Sequence, residues 1–466
     1  MTAFQHDDEV GGVVECDVAV VGAGPAGIAA ATLAAESGAR VVLVDQGARA
    51  GGQVWRHNHA SELPRLARNW LSRLDRSGAR LMRLAMVVDA TPERVLTVTH
   101  PGGSLMVRAD SVVLATGARE LFVPYPGWTL PWAMGLGGGQ ALVKGGMSVR
   151  GKRVIVAGSG PLILPVAAAM ARAGARLAAV AEQAPLGRLA GFARRMWRHP
   201  SKLADGGRYR AAFARTSYRT GTWVARADGH DSVQSVTLTD GRRRWTEECD
   251  LLCCAYGLVP NVDLARVLGC DVEEGRVVVD RLQRTTVPGI FAAGEPTGVA
   301  GELAALTEGQ LAGLAATGVE GTARSRRLEH ERDSWREFGA LLATSFCPRD
   351  ELRELADADT IICRCEDVPL GRLDPSWTSR QAKLYTRVGM GPCQGGVCGP
   401  ACHFLFGWEP GRVRPPLGAP EVGELRGAGC RVQGSVTTTA RDQEAGIRDQ
   451  KGLLGKDLSP EVVPDP

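Results

Sequence analysis

The run from Asp17 to Asp45 leaves little choice of fold. It reads as an apolar strand (Asp17-Val-Ala-Val-Val21), a glycine turn (Gly22-Ala-Gly24-Pro25-Ala26-Gly27), an alanine-rich helical stretch to Ser37-Gly38 and a second apolar strand (Arg40-Val-Val-Leu-Val-Asp45). The three glycines serve separate ends. Gly22 makes the tight turn, Gly24 lets the backbone approach a pyrophosphate, and Gly27 lets helix and strand pack closely. The helix N-terminus at Pro25 and Ala26 then faces the anion. Asp45 lies 23 positions after Gly22, and with Gln46 it is placed to contact an adenosine ribose. An acid there favours a free 2′-hydroxyl.

The pattern repeats. Lys152-Arg-Val-Ile-Val-Ala157 leads into Gly158-Ser-Gly160-Pro-Leu-Ile163, an apolar helix to Gly174 and a strand ending at Glu182. Gly158, Gly160 and Glu182 are the candidate nucleotide contacts of this second unit. Ile163 stands where the third glycine would, and its branched side chain blocks the closest helix-to-strand approach, which counts against tight NAD(P)H binding. Glu182 disfavours a 2′-phosphate by charge, so the expected occupant is NAD or another adenine nucleotide, with FMN at a subunit interface as a further candidate. A purely structural second fold stays open.

Later segments resemble the remaining walls of an FAD site. Val112-Val-Leu-Ala115-Thr116-Gly117 is similar to the segment that closes the FAD domain in glutathione-reductase-like flavoproteins. Thr286-Val-Pro-Gly-Ile-Phe-Ala-Ala-Gly294-Glu295 resembles the motif whose final acid binds the flavin ribitol, with glutamate where aspartate is usual. Gly51-Gly52-Gln53-Val54 resembles the loop beside the isoalloxazine in thioredoxin-reductase-like members, and Gly257-Leu-Val-Pro260-Asn261 the segment closing their second domain. The resemblance implies an α/β fold of two Rossmann-like dinucleotide-binding domains, one inserted in the other. The expected boundaries are 14–125 with 285–325 for the FAD domain and 126–284 for the second domain.

The cysteines define a third region. Of 12, Cys363 and Cys365 are separated by one residue, and after 27 intervening residues Cys393 and Cys398 stand in a glycine-rich stretch. Four thiolates suit iron or zinc by ligand count, but zinc prefers paired gaps of two to four residues. Glycine-rich flanks also leave backbone N–H groups free to face cluster sulfurs. The segment Cys363 to Pro400, including Lys383-Leu-Tyr-Thr-Arg387-Val-Gly-Met-Gly-Pro, resembles the bacterioferritin-associated-ferredoxin-like [2Fe–2S] domain. That implies a small helical domain at 358–420, joined by a charged helical connector at 326–357, with a polar tail at 421–466 expected to be disordered. Cys249, Cys253, Cys254 and Cys270 read as small buried hydrophobes, Cys402 as a buried thiol and His403 as structural. No CxxC pair lies beside the flavin loop, which argues against disulfide reduction.

Composition sets the outer limits. Apolar residues at 44% and charged residues at 23%, with a net charge of only +4, describe a globular chain with no nucleic-acid signature. The acidic N-terminal stretch lacks a signal-peptide pattern and no run suffices for a membrane span, so a cytoplasmic location is expected. His57 and His59 flank the flavin loop without a partner carboxylate in sequence and read as loop histidines, leaving no catalytic acid–base pair identified.

Flavin and a one-electron cluster on one chain suit the splitting of a two-electron transfer into single steps. The combination resembles one component of bacterial heteromeric dehydrogenases: opine (octopine/nopaline) oxidase, D-hydroxyproline or proline dehydrogenase, and hydrogen cyanide synthase. The resemblance implies a partner flavoprotein similar to D-amino-acid oxidase that oxidises the C–N bond, and a small ferredoxin-like subunit in several assemblies. A self-contained NAD(P)H:acceptor oxidoreductase is the second reading, and an iron-handling or redox-sensing module the third.

Overall fold

The structure, a computed structural model, describes residues 11–57, 63–409, 411, 413–420 and 424. His59 lies outside the described residues, as does the expected tail at 421–466 apart from residue 424.

Two βαβ units open the chain: β1 (Val13–Val21), α1 (Pro25–Glu36), β2 (Val41–Asp45), α2 (Arg65–Ser77) and β3 (Arg80–Arg83). An antiparallel meander follows, through β4 (Met86–Ala90), β5 (Val95–His100) and β6 (Gly103–Leu114). The sheet order is β3-β2-β1-β6-β5-β4. Val20 sits opposite Leu43 on one side and Val113 on the other, so the Val/Ala run at the centre is covered on both faces, as a parallel sheet requires.

The second fold is entered through β7 (Ala118–Glu120) and comprises β8 (Ala133–Met134), α3 (Leu136–Lys144), β9 (Arg153–Gly158), α4 (Ile163–Arg172), β10 (Arg176–Glu182), α5 (Leu186–Arg195), α6 (Pro200–Ala211) and β11 (Tyr218–Thr220). An antiparallel layer of β12 (Trp223–Asp228), β13 (Ser235–Thr239) and β14 (Arg244–Glu248) precedes β15 (Leu251–Ala255), which completes a parallel sheet ordered β11-β10-β9-β15-β8. The chain leaves through β16 (Leu258–Pro260), which pairs antiparallel with β7. Asn261 fastens this crossing: its Nδ2 donates to the Thr116 carbonyl at 2.9 Å, and its own carbonyl accepts from Thr116 Oγ1 at 2.6 Å.

The return to the first fold comes earlier than residue 285. In α7 (Asp263–Val267) and the hairpin of β17 (Val272–Glu273) and β18 (Arg276–Val277), the residues Leu264, Ala265 and Val277 pack into the same core as Val112 and Leu114. The physical reason is the β7–β16 pair: exit and re-entry strands that hydrogen-bond each other must cross at one place. β19 (Ile290–Ala292) then adds to the end of β6, and α8 (Glu302–Ala316) lies across α1.

α8 is buried nearly all round because it touches α1 with its backbone. A Cβ on Gly309 would lie 2.1 Å from the Ala26 carbonyl oxygen, and one on Gly313 would lie 2.4 Å from that of Ala30. α9 (Ala323–Ser345) follows, its first turn capped by Thr322, whose Oγ1 accepts from the Ser325 amide at 3.1 Å. The connector is not a free spacer, since Leu352 is fully buried in the core of the second fold.

The cysteine region has β20 (Ile361–Cys363), β21 (Val368–Pro369), α10 (Ser379–Thr386) and α11 (Cys398–Phe406) around a small core that includes Ile362, Val368, Ala382 and Trp408. It docks on the second fold: Trp128 Nε1 donates to the Ile361 carbonyl at 2.6 Å, and Val397 and Phe404 pack against that fold's core. Among the described residues no helix is long and apolar enough to cross a membrane.

Gly309→Val should force α1 and α8 apart and lower stability by roughly 1–3 kcal/mol, as overpacked cores do. Urea unfolding with unchanged slope and a lower midpoint is the expected observation; an unchanged midpoint would show that the helix contact is dispensable.

Candidate functional site

The first glycine turn leaves a cradle. Gly22 has φ +102°, and a Cβ there would lie 2.3 Å from the Ala115 carbonyl oxygen; on Gly27 it would lie 1.7 Å from the Gly22 carbonyl oxygen. Gly24, between them, has nothing within 4 Å in the same direction. Two glycines are therefore consumed by packing, and the middle one opens onto free space. Pro25 starts α1, and the Ile28 amide donates to the Gly24 carbonyl at 2.9 Å, so the amides of Ala26 and Gly27 lie at the open end of the helix.

Asp45 is tied to this turn. Its Oδ2 accepts from the Ala23 amide at 2.6 Å and its Oδ1 from the Gly47 amide at 2.7 Å, while burial pushes its carboxyl up. Gln46 and Gln53 are exposed. The loop after β2 closes against the turn: the Gly51 amide donates to the Ala23 carbonyl at 2.7 Å, and a Cβ on Gly52 would lie 2.9 Å from Gly24 Cα. Thr116 and Gly117 stand partly exposed at the end of β6, Gly117 at φ +71° with open space beside it.

Gly294, at φ +78°, packs on Ala26 and turns the chain into Glu295. Glu295 Oε2 is buried without a hydrogen-bond partner. Burial, with the charge of Glu308 adding to it and the Gly301 amide opposing, pushes the Glu295 carboxyl up to about 7. An orphaned acid oxygen beside an open glycine turn fits a ligand hydroxyl, which would complete its hydrogen bonding.

Several supporting residues escaped the sequence reading. Glu308 Oε2 accepts from the Gly294 amide at 2.8 Å and from Thr297 Oγ1 at 2.7 Å, and Arg336 of α9 reaches its other oxygen at 3.3 Å. Trp55 Nε1 donates to Glu302 Oε1 at 2.6 Å, and Lys144 Nζ donates to the Val54 carbonyl at 3.1 Å, so both halves of the molecule hold the 51–55 loop. Glu120 accepts from the Gly137 amide at 2.8 Å, at the start of α3. His57 Nδ1 lies 2.9 Å from the Trp55 carbonyl oxygen, a local contact within the loop.

The second glycine turn is built differently. A Cβ on Gly158 would lie 1.8 Å from the Ala255 carbonyl oxygen, matching Gly22, and Gly160 opens onto free space in that direction. Glu182, however, has no exposed surface: Oε2 accepts from the Gly160 amide and Oε1 from the Ala184 amide, each at 2.8 Å. Burial pushes its carboxyl up to about 7, with those two amides opposing.

Cys363, Cys365, Cys393 and Cys398 border one cavity of about 210 Å³, which Tyr125, Trp128 and Tyr256 close from the side of the second fold. Gly391 is required here, since a Cβ on it would lie 2.2 Å from Cys365 Cβ. The neighbouring Cys398 holds the Cys393 thiol well below the usual thiol range, and Cys398 is correspondingly pushed up by Cys393 and by burial. Among the described residues no three His, Cys, Asp or Glu side chains are arranged as a ready metal site. The four thiols line one cavity, and an all-thiol donor set in a glycine-rich stretch is chemically suited to an iron–sulfur group. Cys249, Cys253 and Cys254 are buried with thiols pushed up, chiefly by burial, as inert core cysteines are.

Fold and glycine cradle together define a two-dinucleotide-fold flavoprotein. The chain belongs to the pyridine nucleotide-disulphide oxidoreductase family, whose profile matches residues 16–312, and it is a FAD-dependent oxidoreductase. It is 30% identical to the A subunit of opine oxidase from Agrobacterium tumefaciens over 441 residues, 86% of this chain and 87% of that protein. It is also 30% identical to the HcnB subunit of hydrogen cyanide synthase from Pseudomonas aeruginosa, over 87% of this chain and 94% of that one. Among solved structures, L-proline dehydrogenase from P. horikoshii shares the fold with a TM-score of 0.66 at 21% identity, covering 89% of this chain and 80% of that chain. Thioredoxin reductase from T. acidophilum gives 0.52 at 22% identity, covering 65% of this chain and 98% of its own.

Glu182 and Glu295 bring a pH dependence of known sign. Both carboxyls stand near 7 against an ordinary 4.5, so the folded state holds more protons than the unfolded chain between those values. Stability should therefore fall as pH rises through that window. In the flavin-free protein, Glu295→Gln should flatten the fall in thermal midpoint between pH 5 and about 7; an identical pH profile would show that Glu295 titrates normally.

Proposed function

We propose that this chain is the electron-transferring subunit of a heteromeric FAD-dependent dehydrogenase acting on an amino acid or secondary amine, such as an opine, hydroxyproline, proline or glycine. The observation that carries the reading is the meeting of Cys363, Cys365, Cys393 and Cys398 around one cavity on a flavoprotein body that has no dithiol beside its flavin loop. Two relatives aligned over most of the chain are named as subunits of an oxidase and of a synthase, which supports a multi-subunit enzyme.

When bound, FAD supplies two-electron uptake with release in single steps, and a [2Fe–2S] cluster supplies one-electron carriage. This chain's residues do the holding. Gly24 leaves room for the pyrophosphate, and the amides of Ala26 and Gly27 would face it. Asp45 would accept from ribose hydroxyls with Gln46 beside it, and Glu295 would offer its unpartnered oxygen to the ribitol. Gly52, Gln53, Thr116 and Gly117 would line the ring end of a bound flavin, and Trp55 holds the Gly52–Gln53 loop to Glu302. The four cysteines would take the cluster as thiolates. Oxidation of the C–N bond then falls to a partner similar to D-amino-acid oxidase, and a small ferredoxin-like chain is a further member.

The repeated fold at Gly158–Glu182 is what favours the other reading, a self-contained NAD(P)H:acceptor oxidoreductase. Rapid flavin bleaching by NADH, with none by amine plus partner, would select it.

Two substitutions test the two-site picture. Cys393→Ser should remove the cluster's visible absorption and bound iron while flavin stays, and Gly24→Val should remove flavin while iron stays. Loss of both groups from either variant would refute two separate sites. At the level of activity, the chain alone should not oxidise an opine or hydroxyproline with a dye acceptor, and adding the partner flavoprotein should restore the rate. Full-rate oxidation by the chain alone would overturn the relay assignment.

A further inference from the structure

The two glycine turns share a motif but not an environment. At the first, Gly22, Gly24 and Asp45 are all partly exposed. At the second, Gly158 and Gly160 are buried, Ser159 is 4% exposed, and Glu182 and Gln183 are both 0% exposed. No nucleotide can hydrogen-bond an acid that presents no surface.

Ser159 and Gln183 are covered by the chain itself. Just beyond α9, the Phe346 carbonyl accepts from Ser159 Oγ at 2.8 Å, and the Cys347 carbonyl accepts from Gln183 Nε2 at 3.1 Å. Gln183 Nε2 also donates to Ser159 Oγ at 2.9 Å, which ties the glycine turn to the end of β10 beneath the covering segment. Arg188 of α5 donates to the Cys347 carbonyl at 3.4 Å. The Phe346 ring stands edge-on to Phe192 of α5 at 5.0 Å, and Phe192 in turn meets Phe338 of α9 at 6.4 Å. The cover is thus hydrogen-bonded below and anchored by aromatic packing at its side.

The helix start is also spoiled as an anion site. α4 begins only at Ile163, and the amides of Ile163 and Leu164 donate to the carbonyls of Gly160 and Pro161, each at 3.2 Å. In α1 the helix begins at Pro25, directly after the glycine. Of the two amides that correspond to those of Ala26 and Gly27 in the first fold, that of Ile163 already has a backbone partner, the Gly160 carbonyl.

We propose that the Phe346–Cys347 segment, held by Ser159 and Gln183, seals the second dinucleotide fold and so determines donor specificity, making this chain refuse NADH and NADPH. The inference goes beyond the subunit reading: it concerns the second fold alone and is tested without any partner.

The test uses the full-length, flavin-loaded protein, kept anaerobic. NADH and NADPH should leave the flavin absorption unbleached, and ADP-ribose should give no binding heat in calorimetric titration. The double variant Ser159→Ala/Gln183→Ala removes the bridges to both carbonyls. Each lost bond should raise ADP-ribose affinity about tenfold, and hydrogen exchange at residues 158–163 and 346–348 should quicken together. Bleaching of the unaltered protein by NADH would overturn the proposal. So would ADP-ribose binding equal in both proteins, or faster exchange in the variant with no gain in binding. Should the double variant fail to fold, Gln183→Ser replaces it, and the measurements on the unaltered protein decide by themselves. None of these readouts involves amine oxidation, so failure here is distinct from failure of the relay assignment.

Discussion

Because Gly309 and Gly313 carry no side chain, α8 rests on the backbone of α1 at Ala26 and Ala30, and the geometry of the first site follows from that closeness. Ala26 is the second residue of the glycine-turn helix, so whatever touches it stands over the open end of that helix. Gly294 touches it from the other side and delivers Glu295 there. Glu308, one residue before Gly309, receives the Gly294 amide and the Thr297 hydroxyl and fixes the 294–297 turn. A wider helix spacing would leave a buried carboxylate without its donors, which costs more than the lost packing itself.

The sequence was most readable where one residue type has one physical reason to be present. Gly22, Gly24 and Gly27 do what their spacing implies, two in close packing and one in opening space. The two dinucleotide folds and their nesting were legible for the same cause, since apolar strands beside glycine turns have few alternative arrangements. The expected boundary at residue 285 took no account of α7 and the β17–β18 hairpin, because these have no motif. Their allegiance shows only in which core Leu264 and Val277 enter. Pairings over long sequence distance, such as Trp55 with Glu302 or Arg336 with Glu308, were likewise invisible, because nothing local to either residue names its partner. The four cysteines were legible as a set, and their convergence on a cavity lined by Tyr125 and Tyr256 was not.

The two folds also show how far a motif underdetermines a site. Asp45 and Glu182 occupy equivalent strand ends, and each accepts two backbone amides from its own turn. The difference lies in what passes overhead. Asp45 keeps an accessible surface, whereas Glu182 is under cover and Gln183 beside it has turned its amide toward the covering carbonyl. Ile163 was visible in the sequence, but the later helix start and the bond of the Ile163 amide to the Gly160 carbonyl were not, since a residue count alone does not reveal them.

A single element connects these regions. α9 sends Arg336 to Glu308 beside the Gly294–Thr297 turn, sets Phe338 against α5 of the second fold, and ends in the Phe346 carbonyl that Ser159 engages. A few residues later Leu352 anchors the chain in the second fold's core before the cysteine region begins. What reads in sequence as a charged spacer is therefore in contact with both nucleotide folds and fixes the approach to the thiol cavity. Shifting α9 along its axis would disturb the carboxylate under Gly294 and the cover over Ser159 together. Rigid packing of this kind couples the two folds through one helix rather than through the short β7–β16 crossing alone.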